Sequence, residues 1–113
     1  WNTSEMGAVI AEFAHTVGDK DSAWVVAAPH WVDNRLVGIN AGFPTKNYEI
    51  WPLQIIETVE LPGPKLFLYK MEDTEAANTL RELYPNGANS LYQSEQENKS
   101  FYIFFVPNSG DTP

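Results

Sequence analysis

The groups in this chain most able to act as bases or metal ligands are its two histidines, His15 and His30. They stand far apart, form no His-x-x-x-His pair, and have no cysteine to complete a thiolate set. Zinc sites ordinarily draw on three or four protein ligands, so no metal set is expected. His15 lies near the polar edge and C-terminus of a leading helix, where a protonated imidazole is favourably placed against the helix dipole. His30 has a more suggestive position, directly after the apolar run Ala23–Ala28. Ligand crevices in open α/β sheets lie beyond the carboxyl ends of strands. Pro29, His30, Trp31, Asp33, Asn34 and Arg35 would gather a base, an aromatic platform and charged groups in one such loop. Glu72 and Asp73 follow the apolar run Lys65–Lys70, and they would share that rim if the two strands are parallel neighbours. An aromatic face beside paired donors and acceptors suits a weakly bound, polar, ring-shaped ligand such as a sugar. In the alternative reading Pro29 ends a strand, Trp31 packs, and Asp33 and Asp73 open helices.

Other chemistries lack their residues. None of Ser4, Ser22, Ser90, Ser94, Ser100 and Ser109 sits in a Gly-x-Ser-x-Gly elbow. The turn after Ala28 reads Pro-His-Trp rather than a glycine-rich phosphate loop, and no Gly-Lys-Ser or Gly-Lys-Thr occurs, so no nucleotide cofactor is expected. The acidic run Glu72-Asp73-Thr74-Glu75 admits a divalent cation, but acidic groups are also what the first turn of a helix favours. No catalytic residue and no cofactor is therefore assigned. The formal net charge is −8, and the seven bases, Lys20, Arg35, Lys46, Lys65, Lys70, Arg81 and Lys99, are scattered. Nucleic acid is excluded as a partner, because binding it requires grouped cations. Four tryptophans and five tyrosines allow stacking on sugar rings. Trp24 is expected in the core, whereas Trp1, Trp31 and Trp51 lie at segment ends. Asn2-Thr3-Ser4 and Asn98-Lys99-Ser100 match the glycosylation acceptor pattern, which matters only in a eukaryotic secretory setting.

The elements that must position these groups follow from periodicity. At 113 residues and 43% apolar content the chain suits one core. Asn2 and Glu5 suggest a capping box. Met6, Val9, Ile10, Phe13, Ala14 and Val17 then trace one apolar stripe on a helix that ends at Gly18. Ala23–Ala28 reads as a strand covered on both faces, as at the centre of a parallel sheet. A helix is expected from about Trp31, weakened by Gly38 and ended by Gly42-Phe43-Pro44. Tyr48–Trp51 reads as a strand broken by Pro52, and Leu53–Thr58 as either a helical turn or a strand.

Beyond Pro64 the boundaries are sharper. Lys65–Lys70 is a largely buried strand. A helix capped by Asp73 or Thr74 carries Ala77, Leu80, Leu83 and Tyr84 on one face and stops at Pro85-Asn86-Gly87. Ser90–Gln93 and Phe101–Val106 form strands around the polar turn Glu95–Ser100. The predicted fold is a single Rossmann-like layered α/β domain over residues 1–107. It has a mixed sheet of about four or five strands, flanking helices and a C-terminal antiparallel hairpin, followed by a loose tail at 108–113. No apolar run reaches the length of a spanning helix, and no signal-peptide pattern occurs. Beginning at Trp1, the chain is expected to be an excised fragment or a processed product.

The succession "P-x-LFLYK-x-(E)D", a short helix with "L-x-x-LYPNG", then a tyrosine, a polar turn and "FYIFFVP" resembles the end of a known kind of domain. These are the extracytoplasmic C-terminal domains of bacterial multi-spanning glycosyltransferases in the dolichyl-phosphate-mannose–protein mannosyltransferase-like (GT-C) superfamily. The resemblance covers Pro64–Pro107, with Ala23–His30 and the leading helix fitting more loosely. In that family the catalytic acidic residues lie in loops of the membrane portion. The resemblance therefore implies a non-catalytic accessory domain on the extracytoplasmic face of a bacterial membrane. It would partner the membrane portion of the same polypeptide and help to recognise the acceptor or a lipid-linked sugar. Two other readings stay open: a free-standing ligand-binding or scaffold module, and a small enzyme using His30 with Asp33 or Asp73.

Overall fold

The computed structural model describes residues 3–16, 22–26, 42, 49–61, 64–71, 73–93 and 100–106. A five-stranded sheet forms from β1 (Ala23–Val26), β2 (Glu49–Ile50), β3 (Lys65–Lys70), β4 (Ala88–Tyr92) and β5 (Phe101–Val106), in the order β2-β1-β3-β5-β4. β1 is parallel to both β2 and β3, whereas β5 is antiparallel to both β3 and β4. The sheet is thus mixed and ends in an antiparallel hairpin, as the sequence predicts. β1 and β3 are also parallel neighbours, as the proposed rim requires.

Helix α1 (Thr3–Thr16) covers one face. Its stripe of Met6, Ile10 and Phe13 meets Ala23 and Val25 of β1, Leu66 and Leu68 of β3, and Phe101 of β5. The ring of Phe13 meets Phe105 edge-on at 6.2 Å. The opposite face lies under α2 (Thr74–Leu83) and a 3₁₀ helix (Pro52–Glu60). There Val26, Ile50, Phe67, Tyr69, Phe104 and Val106 bury against Ile55, Ala76, Leu80 and Tyr84. Alternation along β3 explains the division: Leu66 and Leu68 point to α1, and Phe67 and Tyr69 to α2. Both faces being covered, the central strand reads as one continuous apolar run, which is how a strand buried on two sides differs from a half-exposed one.

α2 begins where Asp73 accepts a 3.0 Å hydrogen bond from the Ala76 amide. Of the stripe the sequence suggests, Leu80 and Tyr84, the latter just past the helix end, are buried; Ala76 is buried as well, and Ala77 and Leu83 are half-buried. The turn after it reads Pro85-Asn86-Gly87, and the Gly87 amide donates to the Tyr84 carbonyl at 2.9 Å. Packing is what requires a glycine at position 87. A Cβ there would stand 2.2 Å from Cε1 of Phe104, inside the core.

The segment after β2 resolves as the 3₁₀ helix, a long run for a geometry that rarely exceeds a few residues. Pro52 opens it with a fixed φ and no N–H to satisfy. Its composition recurs in threes, as a helix with three residues per turn requires. Ile55 and Thr58 face inward and are buried; Ile56 and Val59 form an exposed apolar row; Gln54, Glu57 and Glu60 form an exposed polar row. The β-branched run Ile55, Ile56, Thr58 and Val59 also disfavours the α-helical alternative.

Several expectations shift. β4 starts at Ala88 rather than Ser90, because the register with β5 continues to the pair Ala88 with Phe105. Trp24, Val9 and Leu83 are half-buried rather than core. The proposed helix from Trp31, the capping residue Asn2 and the tail 108–113 lie outside the described residues.

Candidate functional site

Of the predicted rim, the structure describes Asp73 alone. Its carboxylate is engaged in capping α2, the architectural role that the sequence also allowed. His30, Trp31, Asp33, Asn34, Arg35 and Glu72 lie outside the described residues. Among the described residues no group of three or more His, Asp or Glu stands together to hold a metal ion, and no helix is long and apolar enough to cross a membrane.

The structure does bring together a different set. At the β2 edge, on the α2 side of the sheet, Trp24, Glu49, Ile50, Gln54, Glu57, Thr58 and Leu61 line an open cleft of about 360 Å³. Strand pairing makes its floor. Val25 is opposite Glu49 and Val26 opposite Ile50, so that Ile50 turns into the core and Glu49 to solvent. Trp24 shares the face of Val26 and stacks on Phe67 at 5.1 Å and 20°. One ring face is therefore held in the core while the rest of the indole contributes to the cleft wall.

The 3₁₀ helix makes the other wall. The Trp51 amide donates to Gln54 Oε1 at 2.9 Å, and the Gln54 amide donates to the Trp51 carbonyl at 2.8 Å. With its oxygen engaged, the Gln54 side chain offers a ligand its N–H donors. Glu57 follows one turn on and projects with Gln54 along the polar row. Beneath them Thr58 is anchored: its hydroxyl donates to the Ile55 carbonyl at 2.7 Å and shares a short hydrogen bond with the Tyr84 hydroxyl. A threonine hydroxyl has a single proton, so Tyr84 is the donor to Thr58. Burial raises the Tyr84 pKa, and the bond to Thr58 opposes that shift. This pair fastens the 3₁₀ helix to the end of α2 and fixes the cleft's depth.

The cleft thus joins an aromatic surface, the Glu57 carboxylate as an acceptor and the Gln54 amide as a donor, with Glu49 at its edge on the side of Val25. Both glutamates are exposed. An exposed carboxylate serves as a hydrogen-bond acceptor for hydroxyls. The sequence pointed elsewhere for two reasons. Trp24 sits inside an apolar run that reads as core, and Glu49 and Glu57 show no motif spacing. The available signal was the three-residue recurrence of Gln54, Glu57 and Glu60, which marks a 3₁₀ polar row.

No family model matches the chain, and neither a curated protein nor a solved structure matches it.

Proposed function

We propose that this chain is a non-catalytic recognition domain that holds a sugar. It would work as the extracytoplasmic accessory part of a multi-spanning glycosyltransferase-like protein, positioning the acceptor or a lipid-linked sugar for a membrane portion that carries the chemistry. The observation that carries the reading is the cleft itself, with Trp24 beside Glu49, Gln54 and Glu57. An indole presents C–H-binding π surface to a pyranose, while carboxylates accept and amides donate to its hydroxyls. An open cleft encloses little of its ligand, so millimolar affinity is expected, of the order suited to a site that positions rather than captures. The resemblance of Pro64–Pro107 to glycosyltransferase accessory domains supports the same reading. A free-standing binding module is the second reading, favoured by a core that both helical layers close within this one chain.

Chemical-shift titration with simple sugars and with polyprenyl-phosphate head-group analogues tests the proposal. Shifts should centre on the Trp24 indole N–H and the Glu49, Gln54 and Glu57 amides, and Glu57→Ala should weaken them. Shifts centred on Asp73 and the residues before it would move the site to the strand-end rim, and no shifts up to millimolar sugar would remove the sugar reading.

A further inference from the structure

The two edges of the sheet are built differently. β2 is two residues long, bears Glu49, and runs into Trp51-Pro52, so that shortness, charge and proline all prevent another strand from adding there. β4 has none of these guards. Its five residues, Ala88-Asn89-Ser90-Leu91-Tyr92, carry no charge and no proline, and they pair with β5 over five consecutive residues without a bulge. Four of the five are exposed, Leu91 at 46%. Among the described residues no strand pairs with the outer side of β4. An unguarded edge of this length is a template for another strand.

We propose that the outer edge of β4 pairs antiparallel with β4 of a second copy of this chain, joining two sheets into one continuous ten-stranded sheet about a two-fold axis. Residues opposite one another across an antiparallel seam must share a sheet face, which limits a symmetric pairing to an axis through a residue. An axis through Ser90 pairs all five positions. Ser90 then lies opposite the partner's Ser90, Asn89 opposite the partner's Leu91, and Ala88 opposite the partner's Tyr92. Sizes complement each other, since the largest side chain of the strand meets the smallest. α2 lies on the same side of the sheet in both copies, so its layer continues across the seam.

The self-complementary register favours a copy of this chain, and charge at the seam does not oppose it. A chain with formal net charge −8 repels itself, but the seam is uncharged, and repulsion across it is screened within about 8 Å at physiological salt. Association should accordingly strengthen as salt rises, the opposite of a contact made by ion pairs.

Sedimentation equilibrium of the 113-residue chain tests the proposal, with a monomer–dimer equilibrium at micromolar concentrations expected. Ser90→Glu and Ser90→Lys each place like charges directly opposite across the axis, and each should weaken the dimer at least about tenfold. An equimolar mixture of the two variants should dimerise again as a heterodimer, since its opposed charges are unlike. Ser90 is exposed, and an unchanged far-ultraviolet spectrum identifies the folded variants. A wild-type chain that stays monomeric to millimolar concentration overturns the proposal. So does a dimer that either variant leaves intact, one that the mixture fails to restore, or one that salt weakens.

Discussion

Lys65 and Tyr84 show how single side chains tie this domain's stability to pH. Lys65 is almost fully buried with its ammonium 5.7 Å from the centre of the Tyr84 ring. Burial lowers its pKa below the ordinary 10.5, so its contribution to stability is present above about pH 10.5 and is lost as pH falls through the lowered value. Burial also raises Tyr84 and Tyr69 above the ordinary 10.0. For Tyr69 the nearby Arg81 charge and the 2.6 Å hydrogen bond to Asn89 oppose the shift. The tyrosines' contribution is present below about pH 10 and is lost as pH rises through their raised values. Urea melts between pH 7 and 11 should show stability rising towards pH 10 and then falling. Lys65→Met should flatten the rise and Tyr84→Phe reduce the fall. Tyr84→Phe should also cost about 0.5–1.5 kcal/mol at neutral pH through its lost bond to Thr58. Gly87 and Phe104 form a second such pair. Phe104→Ala should cost about 3–5 kcal/mol, and Gly87→Ala about 1–3 kcal/mol by forcing a methyl against the ring. In Phe104→Leu the same glycine substitution should be milder, because the atoms it strikes are gone, and a double-mutant cycle by thermal melting measures the difference.

Elements were legible in the sequence where punctuation and period agreed. Lys65–Lys70 emerged with its observed bounds because Pro64 and the acidic residues after Met71 bracket an apolar run. α2 was legible from Asp73 at its start and Pro85-Asn86-Gly87 at its end. The cap predicts that Asp73→Ala costs about 0.5–2 kcal/mol in a chemical melt. Pro52–Glu60 was not legible, because its three-residue period falls between the signals for strand and α-helix, and short apolar runs satisfy both. The candidate cleft was lost with it, since one wall is that helix and the other a two-residue strand too short to show alternation. The same helix predicts a surface effect. Ile56 and Val59 are exposed at 61% and 47%, so Ile56→Ser with Val59→Ser should leave the melting midpoint within about 0.5 kcal/mol per site of wild type. A large loss would mean that the row is covered.

At the scale of the whole molecule the sheet separates two cores, one under α1 and the other under α2 and the 3₁₀ helix. They are not independent, because successive residues of β1, β3 and β5 serve opposite faces. Loosening either layer therefore disturbs strands that hold the other. Unfolding should consequently be a single transition, with the near- and far-ultraviolet signals coincident and the Trp24 fluorescence change following both. Two separated transitions would show that the layers melt as separate units. The layered class was predictable from the order of apolar runs. The strand order was not, because nothing in the local pattern states that β3 inserts between β1 and β5.

That insertion has a kinetic consequence. The pairing of β4 with β5 spans only residues 93–100 of intervening chain, and β3 joins β5 across α2 and β4. By contrast Ala23 must find Leu66 across a longer stretch of chain than any pair of β4 with β5 or of β3 with β5 spans. Loop closure over long separations is slow. Refolding should start in the C-terminal half, with α1 and β1 docking late onto a sheet already assembled. During synthesis on the ribosome, the half of this protein that is made first would then be the half that folds last.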